Sequence, residues 1–300
     1  MASLRDIRKR VKSVKSIKQI TYAMKMVSAA RIKRAQNAIL SSRPFAVKME
    51  GLIFDLYTEM ELEGFERSSA YALFADRPRA TAAGLVLVAG DKGLCGSFNS
   101  NLLKSAAAWL TENRGRKLYV ICVGRKSRDF IKRLKGLDLE ISAEMVGVFP
   151  KVGYVHADIL AGSVLKLFSR SEVASVTLIY NEFKSMLTQR IVREALLPLR
   201  HHILENPAAA GGNLRDFDFE PEKHTLLEAL LPRHIGAQLY RVLLESQAAE
   251  LAARMNAMEA ASKNASELID GLTLKLNKMR QAMITTELNE IVSGAEALGG

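Results

Sequence analysis

The most informative stretch of this protein for its fold is residues 246–298, with the sequence SQAAELAARMNAMEAASKNASELIDGLTLKLNKMRQAMITTELNEIVSGAEAL. It lies within residues 233–300, a stretch that contains no proline and consists mostly of residues with high helix propensity. A helix of that length is about 100 Å long, several times the diameter of a small domain. The stretch therefore predicts one very long helix that no single globular core can cover.

Apolar residues in and just before this segment recur at steps of three and four, which is the pattern of a coiled coil. We call the row of positions that faces a partner helix the seam. The predicted seam consists of Ile235, Leu239, Leu243, Ala249, Ala253, Ala257, Ala261, Leu268, Leu272, Leu276, Met279 and Met283. Its alanines make the helix thin, so that a second helix can approach closely.

The partner helix is predicted at the other end of the chain. Residues 4–43 contain neither glycine nor proline, and Ser3 is the predicted N-cap of a helix that Pro44 is predicted to end. Its predicted seam consists of Ile7, Val11, Val14, Ile17, Ile20, Met24 and Val27. Because both ends of the chain carry a seam, we expect them to form a long antiparallel coiled coil.

The spacing of apolar residues changes at about residue 84. From there, the pattern in the middle of the chain predicts a small, mainly parallel, Rossmann-like sheet. The predicted strands are residues 85–88, 118–123, 176–180 and 189–196, the last being an edge strand, and the predicted helices are residues 101–112, 125–134 and 157–168. The expected fold is therefore an α/β domain combined with the coiled coil. The predicted domains are residues 1–60, 61–225 and 226–300.

A glycine loop, GDKGLCGS at residues 90–97, suggests a nucleotide site, but its spacing does not support one. The glycines follow G-x-x-G-x-x-G instead of G-x-G-x-x-G, and no Gly-Lys-Ser/Thr sequence closes the loop as in a P-loop. We therefore expect a structural loop, with no nucleotide or other cofactor bound.

Residues suited to catalysis or metal binding are few. The five histidines, His156, His201, His202, His224 and His234, show no H-x-x-x-H or similar ligand spacing. Cys95 and Cys122 lie in apolar or glycine-rich sequence, which favours two buried reduced thiols and a reducing compartment. The sequence thus predicts a chain without a catalytic residue or a metal site.

The positive charge of the chain is concentrated at its N-terminus. Residues 1–50 hold thirteen Lys or Arg against Asp6 and Glu50, which accounts for the net charge of +11. Three interpretations of this basic helix are a solvated flank, a nucleic-acid-binding arm and an organelle transit peptide. Tyr22 is its only aromatic residue, and no zinc-ligand or helix-turn-helix pattern accompanies it, which weakens the nucleic-acid interpretation.

Several motifs resemble one family. The sequence RQAxITxE at residues 280–287, followed by EIVxGA at residues 290–295, resembles the C-terminal motif of the gamma subunit of F-type ATP synthase of the bacterial type. ARMxAM at residues 253–258, ITxAMxMV at residues 20–27 and DxGLCGxFN at residues 91–99 fit the same family. The resemblance begins near Ile7, whereas a transit peptide would lie ahead of it.

The resemblance implies a central rotor shaft that turns inside a hexamer of alpha and beta subunits, with the epsilon subunit and the membrane c-ring at the other end. It implies a peripheral location on the cytoplasmic face of a bacterial inner membrane. Expected contacts with the beta subunits and the alpha/beta collar are Met24, Arg280, Gln281, Thr285, Glu287, Ile291, Val292, Ala295 and Leu298. Phe219 and Glu220 are expected on the side of the c-ring and epsilon. The alternatives are a basic coiled-coil protein that binds nucleic acid and a nucleotide-binding enzyme.

Overall fold

The computed structural model describes residues 3–59, 71–149, 151–199 and 219–298, except for the side chains of Glu59 and of residues 295–298. Its helices and strands are α1 (Leu4–Glu59), β1 (Ala82–Val88), α2 (Phe98–Glu112), β2 (Leu118–Val123), α3 (Arg125–Ile131), β3 (Leu139–Met145), α4 (Tyr154–Phe168), β4 (Val173–Phe183), β5 (Gln189–Leu197) and α5 (Lys223–Leu298), with a 3₁₀ turn at Tyr71–Leu73. The chain divides into two compact units, which we call the helix-pair unit (Met1–Ala29 with Arg254–Gly300) and the sheet unit (Ala30–Ala253).

Helix α1 begins as the sequence predicts. The Ser3 hydroxyl oxygen accepts the Asp6 backbone N–H at 3.2 Å, and the Asp6 carboxylate accepts the Ser3 N–H at 3.1 Å. This reciprocal arrangement is a capping box, in which two backbone donors that the helix itself cannot satisfy find partners. The hydrogen bonds from Ser3 lower the pKa of the Asp6 carboxyl.

The prediction that Pro44 ends this helix is wrong, since α1 continues to Glu59 with Pro44 inside it. A proline within a helix costs about 3 kcal/mol because it removes a hydrogen bond and its ring crowds the preceding turn. Beyond the proline, Ile53 and Leu56 are completely buried in the larger apolar core. Full burial of each such side chain contributes roughly 1.5–3 kcal/mol, which offsets the cost of the proline.

Helix α5 likewise begins before a proline, at Lys223, and contains Pro232. The proline-free stretch that indicates the long helix begins only at Arg233, whereas the helix itself begins ten residues earlier. Leu227, Leu231 and Ile235 are completely buried on both sides of the proline. Apolar packing therefore keeps the helix continuous here as well.

The sheet has five strands in the order β3-β2-β1-β4-β5 within the described residues. The first four are parallel and β5 is antiparallel to β4, which confirms a mainly parallel sheet with the predicted edge strand. The sequence analysis missed β3, whose alternating Leu139, Ile141, Ala143 and Met145 are only half-buried. A short, half-buried edge strand gives a weak hydrophobic signal.

Strand β1 is buried along its whole length, as expected for a central parallel strand covered by helices on both faces. On one face, Leu85 and Leu87 pack in an apolar cluster with residues of α2. On the other face, Val86 and Val88 belong to a larger core that also contains residues of α1, α4 and α5. The sheet unit therefore holds one end of each long helix.

The glycine loop after β1 is held by the Asp91 carboxylate. Its Oδ1 accepts the backbone N–H groups of Arg125 and Gly147, both at 3.0 Å, and its Oδ2 accepts that of Phe149 at 3.2 Å. One side chain thus connects the loop after β1 with the start of α3, which follows β2, and with the loop after β3. The neighbouring Gly124 has a φ of +87°, and a Cβ there would lie 2.0 Å from the Ala89 carbonyl oxygen, so only glycine fits.

Helix α5 occupies the crevice where doubly wound sheets usually bind nucleotides. That crevice lies outside the carboxyl ends of the strands where the strand order reverses, here beside β1 and β4. Cys95 and Phe98 after β1 form a buried cluster with Ala249 of α5, and Phe183 at the end of β4 packs against it. A nucleotide at this position would have to displace the helix, which supports the structural interpretation of the glycine loop.

We predict that Asp91→Ala lowers the free energy of unfolding by about 1–3 kcal/mol, because backbone donors lose their acceptor. Urea denaturation measures the change. Asp129→Ala is the matched control, since the Asp129 carboxylate pairs only with the adjacent, partly exposed Arg128 among its described contacts.

The same loop is expected not to bind nucleotide, so calorimetry with millimolar Mg-ATP should show no saturable binding. Saturable binding that Asp91→Ala abolishes would contradict a purely structural loop.

A second prediction concerns the two cysteines, which are buried reduced thiols, as the sequence predicts. Burial raises the pKa of the Cys122 thiol to about 12 from an ordinary value of 9.0. The stability that the neutral thiol contributes is therefore present below about pH 9 and is lost as the pH rises towards 12. We expect an aromatic disulfide reagent to label both thiols in urea and to leave them unlabelled in the native protein at pH 8. Rapid native labelling would refute this.

Candidate functional site on the paired terminal helices

The helix-pair unit is an antiparallel pair formed by the start of α1 and the end of α5. The Lys25 ammonium contacts the Glu259 carboxylate at 2.7 Å. From this ion pair, half-buried or buried positions continue towards Ile7 on α1 and towards Met279 on α5. The buried positions thus run towards the start of α1 and towards the end of α5, as they do when two paired helices are antiparallel.

The seam of α1 differs from the predicted one. Ile17, Ile20 and Val27 are about half exposed, whereas the polar Thr21 and Ser28 are buried. The Thr21 hydroxyl donates to the Ile17 carbonyl at 3.0 Å and the Ser28 hydroxyl to the Met24 carbonyl at 2.8 Å. Because both hydroxyls are satisfied within the helix, their burial leaves no unpaired polar group.

The seam of α5 also differs, since Leu268 and Met283 are exposed. One row of its buried and half-buried positions follows alternating steps of four and three, namely Met258, Ser262, Ala265, Ile269, Leu272, Leu276 and Met279, and the predicted Ala261 and the unpredicted Ser266 beside this row are half-buried as well. Alternating steps keep the contact line straight along the helix pair. Repeated steps of four, as in the predicted alanine section, rotate the line by about 40° each time.

The predicted contact residues of α5 lie beyond this seam and face solvent. Every residue from Arg280 to Gly294 is exposed, including Ile291 at 67% and Val292 at 56%. Six of the predicted contact residues of α5 have described side chains, namely Arg280, Gln281, Thr285, Glu287, Ile291 and Val292. The side chains of Ala295 and Leu298 lie outside the described residues, although the helix itself reaches Leu298.

These predicted residues share one face of α5. At about 100° per residue, they fall within an arc of roughly 160° that does not include the line of the seam. The same arc holds two apolar residues that the sequence analysis missed, Ile284 at 48% exposure and Leu288 at 56%. We call this surface the mixed face, because polar and apolar side chains alternate on it. An exposed apolar surface interrupted by polar groups is typical of a protein interaction site.

The polar groups of the mixed face differ in what they can offer to a partner. The Thr285 hydroxyl donates to the Gln281 carbonyl at 2.9 Å, so its oxygen remains available mainly as an acceptor. Within the described part of the chain, neither Arg280 nor Glu287 takes part in an ion pair. The Arg280 guanidinium is therefore available as a donor to a carboxylate or carbonyl of another chain.

Helix α1 contributes a second exposed surface, which the sequence analysis assigned to the seam. Ile17, Ile20 and Val27 form an apolar stripe beside the seam, and Met24, a predicted contact residue, lies half-buried within it. The basic residues between Arg5 and Lys18 are exposed. The steps of four, three and seven residues through Ile7, Val11, Val14 and Thr21 follow the heptad spacing of a coiled coil, and this is the sequence signal that could have revealed the arrangement.

The residues predicted to face the c-ring and epsilon belong to the sheet unit. Phe219 is half-buried against the larger core, with the Lys223 ammonium 5.2 Å from its ring centroid. Glu220 is exposed. Residues 200–218, which include His201 and His202, lie outside the described residues. Among the residues that are described, no group of His, Cys, Asp and Glu could hold a metal ion.

Comparison with known proteins extends over almost the whole chain. A family model described as ATP synthase matches residues 3–298. The ATP synthase gamma chain of Elusimicrobium minutum is 46% identical over 302 residues, with 99% of each chain covered. That of an Anaeromyxobacter strain is 44% identical over 301 residues, covering 99% of this chain and 100% of the relative.

Solved structures agree in fold. A chain of the central stalk and c-ring of Tetrahymena thermophila mitochondrial ATP synthase is 28% identical, with a TM-score of 0.58 over 81% of this chain and 99% of that one. A chain of Euglena gracilis mitochondrial ATP synthase has a TM-score of 0.66 over 98% and 94%, at 20% identity. The predicted combination of an α/β sheet with long terminal helices is thus confirmed, and the chain belongs to the ATP synthase gamma-chain family.

Proposed function

We propose that this chain is the rotor shaft of a bacterial F1Fo ATP synthase and couples proton flow through the membrane ring to ATP synthesis at the beta subunits. The observation that carries the proposal is the mixed face, an exposed surface near the end of a helix 76 residues long. A helix that ends in an exposed, partly apolar face needs a partner to cover it.

The proposed partners are the hexamer of alpha and beta subunits, the epsilon subunit and the membrane c-ring. Support comes from a solved relative described as central stalk and c-ring, and from another described as OSCP, F1 and c-ring. The gamma chains of bacterial relatives support a location at the cytoplasmic face of the inner membrane, with attachment only through the complex. No helix of the described residues is long and apolar enough to cross a membrane.

The proposed mechanism depends on the shape of the helix pair. A pair of helices has no threefold axis, so it cannot contact three chemically identical beta subunits in the same way. Each rotary position therefore stabilises a different conformation at each nucleotide site, and rotation changes the affinities in sequence. The chain itself needs no catalytic residue for this role. The occupation of the sheet crevice by α5 supports that interpretation.

Contacts along the mixed face would serve two purposes. Arg280 and Gln281 can form charge-assisted or polar bonds with a beta subunit, which resist rotation at defined angles. Ile291 and Val292, nearer the tip, offer apolar contacts that have no strong directional preference. A collar of alpha and beta subunits around the tip would thus permit turning, whereas torque would be exchanged closer to Arg280. Glu287 lies between these two zones.

Glu220 and Phe219 are the proposed contacts on the side of the c-ring and epsilon. The half-buried Phe219 supports the core and can position the exposed Glu220 for such a contact. The alternative of a nucleic-acid-binding coiled coil receives no support from the relatives, which are gamma chains over their full length.

We predict that the double change Arg280→Ala and Gln281→Ala lowers turnover of the assembled enzyme by a factor of about ten to a hundred. A bond to a charged group contributes about 1.5–3 kcal/mol, and its loss from one rotary state alters the barrier between states by that amount. The coiled coil should stay folded, because alanine preserves helix propensity and neither residue lies in the seam. ATP hydrolysis and ATP-driven proton pumping measure the effect, and gel filtration measures assembly.

The matched control is the double change Lys275→Ala and Asn289→Ala, which removes one cation and one amide from the side of α5 opposite the mixed face. This control should retain normal turnover. Normal hydrolysis and pumping in the Arg280 and Gln281 variant would show that the mixed face transmits no torque. Loss of assembly in that variant would instead assign these two residues to anchoring.

A further inference from the structure

Arg241 makes polar contacts between α5 and the sheet. Its Nη2 donates to the Glu194 carboxylate of β5 at 3.1 Å, and its Nη1 lies 3.3 Å from the Tyr180 hydroxyl of β4. Along the helix, its Nε donates to the Gln238 side-chain oxygen at 3.1 Å and its Nη1 to the Glu245 carboxylate at 3.4 Å. The guanidinium thus contacts both adjacent strands at the antiparallel edge of the sheet.

A cavity lies beside this contact within the sheet unit. It has a volume of about 760 Å³, and its walls include Gln238, Tyr240 and Arg241 of α5, Glu182 and Phe183 of β4, and Glu194 of β5. On this side of the helix, close apolar packing is therefore incomplete. Arg241 bridges from the helix to the sheet at the wall of the cavity, where apolar side chains leave space unfilled.

The remaining contacts of this helix segment are of a different kind. Leu239, Val242 and Leu243 are completely buried in the larger core. Apolar contacts of this type have little directional preference, so they tolerate a small rotation or shift of the helix. A guanidinium that bonds to acceptors on two strands has a fixed geometry and does not tolerate such a shift.

The group around Arg241 is not arranged for maximal stability. Burial raises the pKa values of the Glu245 carboxyl and the Tyr180 hydroxyl. Glu245 Oε2 is buried without a hydrogen-bond partner among the described residues. Buried ion networks are often no more stabilising than apolar replacements of similar volume, and their best-attested role is to fix register. The network thus has the properties expected of a group that fixes the register of α5 on the strands.

We infer that Arg241 is a positioning residue that fixes the rotational and axial register of α5 on β4 and β5, so that torque passes between the sheet unit and the helix without slip. The inference rests on the proposed rotor function. It adds the place within this chain where force is transferred from one part of the fold to the other. The contact matters most when rotation works against a load, because an unloaded helix experiences little force at Arg241.

The test uses the complete ATP synthase in lipid vesicles with the triple change Arg241→Met, Glu194→Gln and Glu245→Gln. This combination removes the network without leaving a buried carboxylate unpaired, and thermal unfolding of the isolated chain should shift by only a few degrees. We expect hydrolysis by the detached F1 sector to stay within twofold of wild type. We expect protons pumped per ATP hydrolysed to fall at least threefold, and the deficit to grow as an opposing proton gradient is imposed.

The matched control is Arg193→Met on β5, whose guanidinium bonds to Glu112 and Ser105 and not to α5. It should leave the pumping ratio unchanged. An unchanged ratio in the triple variant overturns the inference, and so does a parallel loss of hydrolysis and pumping, which indicates a merely structural role. A complex that pumps equally well without this chain would instead refute the proposed rotor function.

Discussion

Both long helices depend on one large apolar core in the sheet unit, since each buries several side chains in it. Ile53 and Leu56 of α1 and Leu239 and Leu243 of α5 are completely buried in the same cluster with the strands. This burial keeps α1 helical through Pro44. In the helix-pair unit, by contrast, every residue of α5 from Arg280 to Gly294 is exposed.

The sheet has a fold that is common among nucleotide-binding enzymes, but its usual ligand crevice is filled. Its strand order and central buried strand are those of a doubly wound domain. Yet Ala249 packs on Cys95 and Phe98 in the crevice beside β1 and β4. A helix of the protein itself occupies the usual ligand position, so the fold alone is no evidence of nucleotide binding.

Sequence patterns were sufficient for the elements with strong periodicity. They predicted the capping residue Ser3, strand β2 at its observed bounds and the edge strand β5. They failed where tertiary packing outweighed a local rule, as at Pro44, and where the hydrophobic signal was weak, as in β3. The seam was partly misassigned because Ile17 and Ile20 are apolar without being buried, whereas Thr21 is buried without being apolar. The register around Arg241 has no local signal at all, since its partners Tyr180 and Glu194 lie far away in the sequence.

The Asp91 carboxylate also restricts how parts of this domain can move. In enzymes of similar topology, the loops at the carboxyl ends of the strands commonly shift independently to admit substrate and release product. Here the loop after β1, the start of α3 and the loop after β3 are joined through one carboxylate, so none of these segments can move away without breaking hydrogen bonds to Asp91. A displacement of one segment is therefore passed on to the other two, and this edge of the sheet responds to a load as one body.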